Sequence, residues 1–434
     1  MTEDMPRAIT APIKELQGES GGARRMVISF VRRTGGAGIY YLSRLSRRDR
    51  RVWVFGNHKG FRDNPRYLAE HIVHAHPELQ PWWIARTPGE AKMAREAGLR
   101  VTMFASREAA RIQRHAGVAF LSNAFIDLRA PYLGGALIVH LYHGTALKRV
   151  LLDMDVTRVM RESLATRAFK RFHRWSIARR LRQVDLIMAA GELARERFVT
   201  AFGIPAERIP PVGTPRFDVI QGGAAYDRVV HGDLRAQLGV KPNEHLVLWL
   251  PTWREHGDAA WLPPLDAATV DEAFGGTNVV MLVKTHPYAD HEVYGERLPQ
   301  HPKVRLLPEA DVDVNTLLRI ADTLVTDYSS AFFDYALLER PIHFFAPDTG
   351  EYRGGRGLYE PFENLTGDQH HTEWRSLLLA LADASRGEDE QGMAMMRRVV
   401  AMARNNTEPG SCERIVQTVA RAAGVTLAPA VEET

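Results

Sequence analysis

The chain has 434 residues, 45% of them hydrophobic and 25% charged, and its formal net charge is +4. That length predicts two domains, and the composition is that of a soluble globular protein. No stretch reaches the roughly 20 unbroken apolar residues that cross a bilayer. The N-terminus is acidic and lacks the apolar segment of a secretory signal. Cys412 is the only cysteine, which excludes internal disulfides and thiolate metal clusters.

In chain order, residues 1–50 read as a basic N-terminal segment, densest from Arg24 onward, with a capacity for membrane association. Apolar β-like runs follow at 51–56, 82–86, 100–104, 118–122, 136–142 and 185–191, separated by longer helical stretches. This alternation predicts an N-terminal Rossmann-like domain over 51–220. Within it, a basic helical insert spans about 150–183. There Phe169, Phe172, Trp175 and Ile177 interleave with Arg167, Lys170, Arg171, Arg174, Arg179 and Arg180. Such a helix is either a solvated face packed on its own protein or a surface for anionic lipid. No recognised nucleic-acid motif accompanies the charge, so nucleic acid is not expected. A Pro/Gly-rich stretch beginning at Gly203 marks the boundary. The second half carries runs at 245–250, 278–284, 303–307, 322–326 and 342–346, and predicts a second such domain over 221–422 with closing C-terminal helices. A loose tail is expected over 423–434. The fold class is therefore α/β, with two doubly wound domains facing a cleft.

Open parallel sheets bind ligands beyond the carboxyl ends of their strands. His143, Gly144, Thr145 and Lys148 follow the run at 136–142, and Thr252 and Arg254 follow 245–250. Lys284 ends the run at 278–284, just before Thr285 and His286. Thr326, Asp327, Ser329 and Ser330 stand where 322–326 hands over to an apolar helix, and Asp334 shares a helix face with Ser330. An isolated "TDYSS" reads as a helix cap or as a seat for phosphate, since free amides and the dipole favour anions there. Either histidine can serve a structural hydrogen bond or take a proton near neutral pH. Arg254 can pair bidentately with phosphate. No Walker loop occurs, which disfavours a P-loop NTPase. No acidic cluster has hard-metal spacing, so no metal is assigned.

The ordered set "VFGNHKGFRDNPRYLAEHI", "HGTALKR", "VGTPRFD", "LPTWRE", "VKTHPY", "TDYSSAFFDYALLERPIHFF", "EYRGGRGLY" and "GSCERIV" resembles the bacterial CDP-glycerol glycerophosphotransferase family. That family builds teichoic-acid-like and some capsule polymers. The resemblance covers about Arg51 to Val419. It implies the glycosyltransferase B architecture, with His143 and His286 as the catalytic pair across the cleft. Thr252, Arg254, Thr326, Asp327, Ser329 and Ser330 match its donor-side positions, with Gly144, Thr145, Lys148, Arg216, Lys284 and Asp334 in support. Asp327 is expected to orient the helix start or bind a ribose hydroxyl. Ala146 stands where a proline is common, and Thr285 where Leu often precedes His-Pro. The implied reaction transfers glycerol phosphate from CDP-glycerol to a hydroxyl of a lipid-linked polyol-phosphate or glycan acceptor, releasing CMP. It is of the class that transfers substituted phosphate groups and needs no certain cofactor. The implied location is the cytoplasmic face of the cell membrane, held peripherally on an anionic surface; an oligomer is compatible with it. CDP-ribitol as donor, a nucleotide-sugar glycosyltransferase of the same fold, and an inactive scaffold are the competing readings.

Overall fold

The computed structural model describes residues 38–154, 164–230, 232–254, 261–286, 289–308, 312–349 and 357–428. All eleven expected strands form, from β1 (Asp49–Phe55) to β11 (Ile342–Phe344). Much of the basic N-terminal segment, the "EYRGGR" part of one motif, Pro287, Tyr288 and Glu255 lie outside the described residues.

The chain divides into two compact units. The first comprises the residues up to His143, 183–188, and Gly410 onward; the second comprises Gly144–Arg182 and Ala189–Pro409. This differs from the expected division at 220/221. The chain leaves the first unit directly after His143, and the basic insert belongs to the second unit. It returns to pair β6 (Leu186–Ile187) with β5 (Leu137–His140), through Val139 opposite Leu186 and His140 opposite Ile187. It returns again with the C-terminal helix Ser411–Ala423, which buries Cys412, Ile415, Val416 and Val419. That helix therefore does not close the second unit.

In the first unit the sheet order is β3-β2-β1-β4-β5-β6 and every pairing is parallel. Here β2 is Gln80–Ala85, β3 Arg100–Met103 and β4 Ala116–Leu121. Parallel strands covered on both faces read as continuous apolar runs, and Trp53, Val54 and Phe55 are fully buried. Thr87 and Ser106 cap the crossover helices Pro88–Glu96 and Arg107–His115, each hydroxyl accepting an amide of the first turn.

In the second unit the order is β11-β10-β7-β8-β9, again all parallel. Its other strands are β7 (His245–Leu250), β8 (Val279–Val283), β9 (Val304–Leu306) and β10 (Thr323–Thr326). The alternation of strand side chains separates two cores. Leu246, Leu248, Leu250 and Leu324 face Phe332 and Phe344. Val247, Trp249, Met281, Val283 and Val325 face Phe345 and Trp374.

Both sheets share one topological consequence. The strand order reverses between β1 and β4 in the first unit and between β7 and β10 in the second, and a crevice opens outside the carboxyl ends at such a point. Among the described residues no helix is long and apolar enough to cross a membrane.

Candidate active site

In the first unit the loops after β1 and β4 are tied by one buried carboxylate. Asp127 accepts the amides of Ser122 (2.9 Å), Asn123 (2.8 Å) and His58 (3.0 Å), and lies 2.9 Å from His58 Nδ1. Burial alone would raise this carboxyl. The His58 side chain and the Asn123, Ser122 and His58 amides outweigh it and hold Asp127 below the usual carboxylate range. Asn57 joins the group through the Asn123 side-chain amide, 3.2 Å from its Oδ1.

This frame sets the backbone ahead of His143. Tyr142 has φ +53°, in the left-handed region that a bulky residue rarely adopts. Three bonds fix it there. The Tyr142 amide donates to His140 Nδ1 (3.1 Å), and its carbonyl accepts from Asn64 Nδ2 (2.8 Å) and Ser122 Oγ (3.3 Å). His140 must keep Nδ1 unprotonated to accept that amide, and burial lowers its pKa to about 4. His143 itself is exposed. Its ring stacks on Tyr142 at 4.3 Å and 19°, with Nδ1 3.4 Å from the Ser122 carbonyl. A proton on Nδ1 leaves Nε2 as the acceptor, the arrangement a general base requires.

The second unit repeats the device. Asp327, fully buried at the end of β10, accepts the Thr252 amide (2.9 and 3.1 Å) from the loop after β7. It also accepts Arg254 Nη1 at 2.9 Å. Arg254 forms a fork with Asp348 (2.8 and 3.0 Å), donates to the Thr252 carbonyl (2.6 Å), and stacks on Trp261 at 4.1 Å.

These contacts correct three expectations. Every guanidinium nitrogen of Arg254 donates within the protein, and its fork meets Asp348. Asp327 neither caps the helix nor presents itself to a ribose; it braces two loops. Thr326 spends its hydroxyl on the Leu250 carbonyl at 2.8 Å.

The supporting residues gather differently. Arg216 Nη2 lies 3.0 Å from Asp334 Oδ2, both buried. Gly144, at φ +132°, packs so close to Arg216 that a Cβ would stand 2.3 Å from Nη2. Thr145 and Thr252 carry buried hydroxyls without a hydrogen-bond partner among the described residues. Lys148 bridges Leu358 through its backbone.

The expected helix is shorter than its apolar run suggests, spanning Ala331–Tyr335. Ser329 Oγ accepts the Ala331 amide at 3.3 Å. Ser330 precedes the helix without a side-chain cap bond, and both serines are half-buried. After β8, Thr285 is buried and His286 exposed; the His286 carbonyl accepts the Ala289 amide at 2.8 Å. The half-buried Lys284 forms no ion pair among the described residues.

Asn57, His58, Asn123, Asp127 and Asp348 are the polar groups of these frames to which the sequence motifs assign no role. The reversal of strand order at β1 and β4 is the signal that points to the first four.

The family model described as "CDP-Glycerol:Poly(glycerophosphate) glycerophosphotransferase" matches residues 39–421. A teichoic acid poly(glycerol phosphate) polymerase of Staphylococcus epidermidis is 27% identical over 317 residues, covering 71% of this chain and 42% of that protein. A teichoic acid ribitol-phosphate primase of Bacillus spizizenii is 31% identical over 186 residues, covering 42% of this chain and 46% of that protein. The chain thus spans less than half the length of both relatives. The solved wall teichoic acid polymerase TagF superposes with a TM-score of 0.70 at 22% identity, covering 93% of this chain and 97% of that one. At that identity the likeness establishes the shared fold.

Proposed function

The chain belongs to the CDP-glycerol:poly(glycerophosphate) glycerophosphotransferase family, and from that premise we propose that it transfers glycerol phosphate from CDP-glycerol to a hydroxyl of a lipid-linked acceptor. The acceptor oxygen attacks the β-phosphorus, the bond from that phosphorus to the bridging oxygen breaks, and CMP leaves. The hydroxyl proton passes to Nε2 of His143. His286 and Lys284 meet the diphosphate, and Ser329 and Ser330 donate to phosphate oxygens. Arg254, Asp327 and Thr326 position these groups. Little covalent work is asked of the protein in such a transfer; holding the nucleophile in line and neutralising charge on the leaving group supply most of the acceleration.

The observation that carries the reading is the contrast at the strand ends. His143 and His286 are exposed, while other polar groups at the strand ends of the same sheets are buried and spent on bracing. Exposed imidazoles on rigid strand ends suit proton transfer and oxyanion contact better than they suit structural roles.

A donor panel tests it. CDP-glycerol, CDP-ribitol and UDP- and CDP-sugars are offered with a synthetic phosphoglycerol lipid, and the products are read by mass spectrometry. The proposal expects a phosphodiester-linked glycerol phosphate. Growth by ribitol phosphate alone would reassign the donor, and a glycosidic product would overturn the reaction class.

Attachment to the cytoplasmic face of an anionic membrane belongs to the same proposal. The helix Leu164–Leu181 exposes Arg171, Arg174, Arg179 and Arg180, and Trp175 is 54% exposed. In the first unit Leu42 and Leu45 are 68% and 83% exposed beside Arg44 and Arg47. Apolar anchors flanked by arginine suit the lipid interface.

A further inference from the structure

Remote from any strand carboxyl end, the first unit brings two imidazoles to one carboxylate oxygen. His71 lies on the helix Asp63–Ala75, and His76 follows that helix directly. Glu413 lies on the C-terminal helix Ser411–Ala423. The Nε2 atoms of His71 and His76 are 3.2 and 2.8 Å from the same atom, Glu413 Oε2. We propose that His71, His76 and Glu413 bind a divalent transition cation of the zinc class, which fastens the C-terminal helix to the first unit.

The orientation of the groups supports this. His76 Nδ1 is 3.2 Å from Glu78 Oε1, and that oxygen also accepts the Ala428 amide at 3.1 Å. A carboxylate holding the far nitrogen of an imidazole is the usual outer contact of a metal-bound histidine; it sets the tautomer and leaves Nε2 as the ligand atom. With Nδ1 protonated toward Glu78, a neutral His76 presents a lone pair to Glu413 Oε2. Two acceptors facing each other at 2.8 Å require a cation between them, either a proton or a metal. The other Glu413 oxygen is occupied, since Oε1 accepts Gln417 Nε2 at 2.8 Å. Oε2 is thereby turned toward the imidazoles.

The distances suit the ion. Two ligands about 2.1 Å from zinc at a tetrahedral angle are about 3.4 Å apart. The His71–Glu413 separation of 3.2 Å is within about 0.2 Å of this, and the His76–Glu413 pair, at 2.8 Å, would open by about 0.6 Å. All three ligand atoms lie within 4.8 Å of one another. His76 is buried, whereas the side chains of His71 and Glu413 keep 20% and 31% exposure, which leaves a side for entry and for water as a fourth ligand. Two nitrogens and one carboxylate oxygen favour zinc, cobalt or nickel over magnesium or calcium. Binding displaces protons, so affinity should fall as pH is lowered.

The test uses the untagged full chain, stripped with chelator and dialysed, then titrated with Zn2+ by calorimetry and with Co2+ by visible absorption. One equivalent bound, a raised melting temperature and a low-symmetry Co2+ spectrum are expected. His71→Ala and Glu413→Gln should weaken Zn2+ by at least about tenfold, and Glu78→Gln by roughly 10- to 100-fold. His301→Ala, in the second unit, should bind like the unaltered chain. His71 is partly exposed, so its variant decides the matter if a Glu413 variant fails to fold. Absence of stoichiometric binding, or an unchanged affinity in a folded His71→Ala, would overturn the site.

Discussion

Each guanidinium nitrogen of Arg254 is bonded within the protein, and this decides what its loss should do. Removing it leaves Asp327 and Asp348 buried without a counter-charge, which typically costs about 3–5 kcal/mol. Arg254→Met should therefore lower the urea unfolding free energy by about that amount. Arg254→Lys should recover little, because an ammonium cannot reproduce the fork to Asp348. An unchanged stability with weakened donor binding would return Arg254 to the phosphate. Gly144→Ala is a second residue-scale case. It combines φ +132° with a Cβ placed 2.3 Å from Arg216 Nη2. A destabilisation of about 1–3 kcal/mol is expected, and thermal unfolding would read it. The strand-end histidines and the serines after β10 were legible because their residue types and positions follow from the α/β pattern. The partner of Arg254 was not. Asp348 lies 94 residues along the chain, and only the pairing of β7 with β10 and of β10 with β11 brings it near.

At the scale of elements, the recurring device is an aspartate tying two loops where the strand order reverses: Asp127 in one sheet, Asp327 in the other. All eleven strands were legible as apolar β-branched runs, since parallel strands are buried on both faces. The unit boundaries were not. The run that forms β6 was expected in the first sheet, but the stretches flanking it, Gly144–Arg182 and the chain from Ala189, belong to the second unit. The helix before β11 also ends sooner than its apolar run implies, and a 3-10 turn at Ala336–Leu338 completes it. Two buried histidines give the elements a pH dependence. Burial chiefly lowers His140 to about 4, in the first unit. Burial, with His343 beside it, lowers His371 to about 4 in the second. Each titrates near 6.5 when unfolded, so the unfolded chain binds more protons between pH 4 and 6.5. Stability should be full above 6.5 and fall as pH drops through that window, by an order of 3 kcal/mol per site. Urea midpoints from pH 4.5 to 7.5 would show the slope. His140→Gln and His371→Gln, which cannot charge, should each flatten it.

For the whole molecule, the distribution of charge matters more than its net value of +4. Binding to vesicles rich in anionic lipid should exceed binding to neutral vesicles and weaken as salt rises. Arg179→Glu with Arg180→Glu should reduce it by several-fold or more, at about 1 kcal/mol per basic residue; sedimentation with sucrose-loaded vesicles measures this. Equal binding to neutral vesicles would remove the electrostatic part of the account. The chemistry itself is tested by CMP release from CDP-glycerol in the presence of a phosphoglycerol lipid, comparing the unaltered chain with His143→Ala. The unaltered chain should release CMP in step with acceptor extension, and His143→Ala should be slower by roughly 10²- to 10⁴-fold while remaining folded. Acceptor-dependent CMP release at an undiminished rate in His143→Ala would contradict it.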